Sequence, residues 1–103
     1  MSLRAKLRDK GAQGRRELLA GLMLVLFPDD ATARESLEQR GGLKPILGLM
    51  ASNDPDLMVF SLAVMRVLGK DTEEVRGAIE VGKGDWDAEV RKEADAAERA
   101  IRH

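Results

Sequence analysis

The chain contains no cysteine, no tyrosine and a single histidine, and only 3% of its 103 residues are aromatic. Each shortage removes a class of chemistry. Without cysteine there are no disulfides, no zinc-thiolate sites and no thiol nucleophiles, and the composition suits a reducing, cytoplasmic setting. The one histidine is His103, the last residue, where fraying makes it a poor general base or ligand. Ser36, Ser52 and Ser61 have no histidine or lysine at a spacing that activates a hydroxyl. A non-enzymatic protein is expected, with no cofactor and no bound metal.

Other local patterns are equally uninviting to ligands. The acidic clusters Asp54/Asp56 and Asp85/Asp87/Glu89 lack the twelve-residue alternation, glycine and closing glutamate of a calcium loop, and capping of helices explains them better. Gly82-Lys83-Gly84 lacks the remainder of a phosphate loop. The longest apolar run, residues 18–27, falls well short of the roughly 20 residues that cross a bilayer, so no membrane partner is expected.

What is present is aliphatic and helical. With Trp86, Phe27 and Phe60 as the only aromatics, the core must be built from Leu, Val, Ala and five Met. Charged residues make up 34% of the chain at a formal net charge of -1, a balance that argues against disorder. No segment alternates polar and apolar residues over a useful length, whereas helix signals recur in regular order. Ser2 caps a first helix to about Lys10, ended by Gly11; a second runs from about Gln13 to Phe27 and is stopped by Pro28. Asp29 or Asp30 caps a third that ends at Gly41-Gly42, and Pro45 sits in the first turn of a fourth that fades at Ser52-Asn53. Asp54 and Pro55 open a fifth reaching Leu68. A sixth runs from Thr72 behind an Asp71 cap to Val81, and a seventh from Ala88 behind Asp87 to Arg102.

An internal repeat organises these helices. A shift of 42 positions superposes Met23 on Met65, Val25 on Val67, Leu26 on Leu68, Asp29 on Asp71, Arg34 on Arg76, Glu38 on Glu80 and Gly42 on Gly84. A shift of 33 carries Asp54-Pro55-Asp56-Leu57 onto Asp87-Ala88-Glu89-Val90. The two shifts differ by 9 residues, about the length of the short fourth helix, which the last unit lacks.

The stretch from Asp30 to Gly69 resembles one complete armadillo repeat: a short first helix ending in a glycine pair, a second opened by an apolar-proline signal, an Asp-Pro turn and a long third helix. On this resemblance the chain divides into a partial N-terminal unit (1–29), a complete unit (30–70) and a shortened C-terminal capping unit (71–103), whose last helix is equally close to the HEAT type. It implies an all-α, right-handed superhelical solenoid fragment of six to seven helices. Such a fold uses its third-helix groove to bind extended peptides, through an asparagine clamp and a tryptophan one turn earlier. Those positions here hold Val25 and Val67, and Gly21 and Ala63, so the clamp is missing. The groove would offer instead an apolar stripe of Val59, Ala63 and Val67 edged by Met58, Leu62 and Arg66, suited to a helix or hydrophobic peptide. A generic bundle of six or seven helices is the alternative to the solenoid, and burial of this stripe by the domain's own neighbours is the alternative to a binding site.

Charge is polarised along the chain. Residues 1–16 carry six basic groups against Asp9, and residues 71–98 carry ten acids against four bases. No aromatic or groove-reading motif accompanies the basic end, so nucleic acid is not an expected partner. Two and a fraction repeats expose their terminal stacking faces. The outer positions of the first helix (Arg4, Lys6, Arg8) and the last (Arg91, Lys92, Asp95, Glu98, Arg99) are therefore expected to act as polar caps, leaving a monomer or a weakly self-associating chain. The expected function is a scaffold that binds a protein or peptide segment. The alternative is a designed helical protein whose only function is to fold, consistent with idealised caps but not with Gly21, Gly48 and Gly77 inside helices.

Overall fold

Helix α5 (Pro55–Leu68) is the organising element, because its sequence is apolar on nearly every side. A helix of that kind is stable in water only when others surround it. In the computed structural model, which describes residues 2–8 and 14–102, nine of its residues are buried. One face, Leu57, Phe60, Val64 and Leu68, joins a core with Leu7 of α1 (Leu3–Arg8), Leu18 and Leu24 of α2 (Arg15–Leu26), Leu37 of α3 (Ala31–Glu38) and Ile46 of α4 (Lys44–Gly48). The opposite face, Met58, Leu62 and Met65, joins a second core with Val75 and Ile79 of α6 (Glu73–Lys83) and Val90, Ala94 and Ala97 of α7 (Ala88–Ile101). A 3-10 turn, Leu49–Ala51, follows α4 and contributes Leu49 to the first core and Met50 to the second.

The described residues are helical or in turns, with no strand among them. Their boundaries follow local chemistry. Asp30 accepts from the Ala33 amide, Asp54 from Asp56 and Asp87 from Glu89 and Val90, so each cap lies where a short acid precedes an apolar periodicity. Two expectations need correction. Thr72, not Asp71, caps α6, its hydroxyl accepting from Val75, because Asp71 is engaged by Arg76 five residues on. That helix also continues to Lys83 rather than stopping at Val81. Gly11, Gln13 and His103 lie outside the described residues.

Two glycines set how closely the outer helices approach α5. A Cβ on Gly21 of α2 would lie 2.8 Å from Ile46 Cδ1 and 3.2 Å from Phe60 and Val64, and one on Gly82 of α6 would lie 2.9 Å from Leu62 Cδ1 and 3.0 Å from the Ala94 Cβ. Each buried face thus meets α5 through a missing side chain. Among the described residues the one buried polar side chain of the core, Ser61, is satisfied there: its hydroxyl donates to the Ile46 carbonyl at 2.7 Å. The resulting body measures 32 × 29 × 21 Å.

Candidate functional site

Several of the ion pairs in this fold join one helix to another. Lys6 of α1 reaches Asp54 at 3.0 Å and Asp56 at 2.9 Å, tying α1 to the first turn of α5. These hydrogen bonds, Asp56 first and Asp54 next, hold the Lys6 ammonium above its ordinary pKa, and Lys6 holds the Asp54 carboxyl below its own. Arg66 meets Glu93 at 2.7 Å across α5 and α7, and Lys83 meets Glu98 at 2.9 Å across α6 and α7. The last pair raises Lys83 and lowers Glu98. Each of these shifts has an opposite charge as its main cause, the signature of structural ion pairs rather than of a poised acid or base. Among the described residues no three metal-binding side chains converge, and no helix is long and apolar enough to cross a membrane.

Apolar surface is the remaining candidate. Of the stripe expected on the third helices, Met58, Leu62 and Ala63 are buried, the first two inside the second core. Val25 and Val67 pack partly against the first core and Val59 partly against the second, leaving Arg66 as the exposed member. The structure therefore leaves the three valines half-buried, pairs Arg66 with Glu93, and closes the methionine and leucine edge.

A larger concavity lies elsewhere, with a volume of about 530 Å³, between the end of α3, the start of α4 and the turn that leaves α5. Leu37, Leu43, Leu47 and Leu68 form its floor, and Glu38, Lys44, Lys70 and Glu74 stand among its polar edges. Lys70 and Glu38 pair at 3.0 Å across the rim. Sequence reading passed over this site. The spacing of Leu43 and Leu47 just behind Gly41-Gly42 is its only local trace, since the groove needs the end of α5 to close it.

Exposed apolar side chains stand at three further places, one of them Val81 of α6. Trp86, 78% exposed, stands on the turn before α7, where the Arg91 guanidinium donates to the carbonyls of Asp85 and Trp86. Leu19, Met23 and Leu26 line the outer face of α2, followed by exposed Phe27. Comparisons of the chain with protein-family models, with curated proteins and with solved structures gave no significant match.

Proposed function

We propose that the chain is a non-enzymatic, armadillo-like helical-repeat scaffold that holds an apolar segment of a partner protein. The observation that carries the reading is the leucine-floored groove of about 530 Å³ with lysines and glutamates at its edges. An apolar cavity with a few polar groups around it orients a ligand side chain while excluding water from it. The mixed rim suits a peptide with a leucine or methionine anchor flanked by charges of both signs.

The repeat reading is supported by the order of the long helices. α5 packs against α2 on one side and α7 on the other, as consecutive third helices do in a stack, and α3 and α6 each precede the long helix of their unit. The valine surface of Val25, Val59 and Val67 belongs to that same set of helices and is the second place a segment would lie.

Selection of a displayed peptide library on the folded protein, followed by chemical-shift mapping with an enriched peptide, tests the proposal. Shifts clustered on Leu43, Leu47 and Leu68, and loss of binding in Leu47→Glu, are expected. Shifts clustered on Val25, Val59 and Val67 would move the site to the third helices. No enriched peptide would leave a chain whose role ends with its fold and overturn the reading.

A further inference from the structure

The outer face of α2 breaks the pattern by which this protein hides its apolar groups. Leu19 is 51% exposed, Met23 42%, Leu26 61% and Phe27 57%, with half-buried Leu22 beside them. Residues 19, 22, 23 and 26 recur at spacings of three and four, so they form one ridge along the helix. Concavities of about 370 and 420 Å³ flank the ridge, one toward α1 and lined by Leu19 and Leu22, the other toward α3 and lined by Leu19 and Met23. A ridge between two grooves is the form that packs against another helix.

Its charges identify the other helix. Arg15 and Arg16 are exposed at the start of α2, and Asp29 and Asp30 follow its end. Among the described residues none of the four takes part in an ion pair, and Asp30 uses one carboxylate oxygen to cap α3. When a helix lies antiparallel to a copy of itself, opposing residue numbers have a constant sum. Within the helix, the register that sets Leu19 against Leu26 also sets Leu22 against Met23. The same antiparallel arrangement brings the basic start of each α2, Arg15 and Arg16, toward the acidic turn, Asp29 and Asp30, that follows the end of the other.

We propose that the protein forms a two-fold symmetric dimer through α2, antiparallel to α2 of a second copy, with the axis between Leu22 and Met23. A head-to-tail assembly onto the acidic end would meet no helical ridge: its exposed large apolar side chains are Val81 of α6 and Trp86 on the turn, and the exposed positions of α7 are Ala88, Glu89, Arg91, Lys92, Asp95 and Arg99. The ridge shares no residue with the groove at Leu43 and Leu47, so the dimer is tested separately from the peptide-binding reading. The ridge is smaller than the roughly 800 Å² per partner of a standard interface, so self-association in about the ten-to-hundred micromolar range is expected.

Sedimentation equilibrium of the full chain over a wide concentration range tests this. The wild type is expected to pass from monomer to dimer, and Leu26→Glu, at a solvent-exposed position, to remain monomeric with an unchanged melting curve. Arg16→Asp and Asp29→Arg each bring like charges toward one another at both ends of the helix pair and should each weaken dimerisation roughly tenfold. Mixed in equal amounts, these two variants bring opposite charges together at both ends of the helix pair and should recover wild-type affinity as a heterodimer. A wild type that stays monomeric up to about 1 mM, a Leu26→Glu chain that dimerises as well as wild type, or a mixture no tighter than its components would overturn the proposal. Should Leu26→Glu fail to fold, the charge-reversed pair alone decides the outcome.

Discussion

The Arg34 guanidinium of α3 donates to the carbonyl oxygen of Leu68 at 3.1 Å, at the last turn of α5, and its second terminal nitrogen donates to the Val67 carbonyl at 3.0 Å. The end of a helix leaves carbonyls without amide partners and concentrates partial negative charge, so one half-buried cation satisfies two acceptors and complements the dipole. Arg76 occupies the same position of the 42-residue repeat, yet its guanidinium turns to Asp71, at 2.8 Å from one terminal nitrogen. Residues matched by the 42-position shift thus perform different work: Arg34 fastens α3 to the end of α5, and Arg76 fastens the start of α6 to its own approach.

Replacing Arg34 should therefore cost more than replacing Arg76. Arg34→Leu is expected to lower stability by about 1.5–3 kcal/mol, since two charge-assisted hydrogen bonds are lost and two carbonyls lose their partner. Arg76→Leu, which breaks a solvent-exposed pair, should cost clearly less. Arg34→Lys should recover less than half of the loss, because a point charge does not bridge two carbonyls as a planar fork does. Urea unfolding followed by circular dichroism measures all three, and equal losses for Arg34 and Arg76 would contradict the distinction.

Much of the helix order was legible because its causes are local. Asp30, Asp54 and Asp87 cap helices within two or three residues of themselves, and Pro45 and Pro55 stand in first turns. What covers a helix face is decided by elements distant in sequence, and there local patterns carry no signal. Met23 and Met65 superpose in the 42-position sequence shift, but Met23 is 42% exposed and Met65 1%. The difference comes from α6 and α7, which close over Met65. The same two helices bury Met58 and Leu62, which their spacing alone left equally fit for a groove edge.

Two glycines of α6 should respond to alanine with opposite signs. A Cβ at Gly77 meets nothing within 4 Å, so Gly77→Ala gains helix propensity and should stabilise by about 0.5–1 kcal/mol. At Gly82 the new methyl would lie 3.0 Å from the Ala94 Cβ, which is fixed to the backbone of α7 and has no rotamer by which to withdraw. Gly82→Ala should destabilise by about 1–3 kcal/mol in spite of its better propensity. Thermal melts of the two variants beside wild type give the comparison, and a Gly82→Ala chain as stable as wild type would mean that α6 and α7 are packed less closely.

Ser61 offers a different probe of the same core. Its hydroxyl is fully buried and donates to Ile46, whose carbonyl also accepts from the amide of Leu49. Ser61→Ala removes the donor but leaves that carbonyl with a partner, so a loss of about 1 kcal/mol is expected. Ser61→Val adds volume where there is no room and should cost more, by about 1–3 kcal/mol. Stabilities in that order, read from urea midpoints at constant m, would place the hydroxyl as a link between α4 and α5. A valine variant more stable than the alanine variant would show a void at this point.

The ion pairs give stability a defined dependence on pH. Asp54, Asp71 and Glu98 are held below their ordinary values of 3.8, 3.8 and 4.5 by Lys6, Arg76 and Lys83. Folded carboxyls of this kind bind protons less readily than unfolded ones. Their contribution is therefore complete above the unfolded values and is lost as pH falls through the depressed folded ones. Lys6 and Lys83, raised above 10.5 by their acids, act in the opposite sense. Their contribution is complete below the unfolded value and is lost as pH rises through the raised folded one. Tm should accordingly be level from about pH 5.5 to 9.5 and fall on both sides. The pairs are open to solvent, so about 1 M salt should flatten both limbs. Lys6→Met and Lys83→Met test the assignment: each should shrink the acid limb and the alkaline limb together, since one lysine anchors both effects. An acid limb unchanged in the double variant would mean that acid unfolding proceeds through other carboxylates.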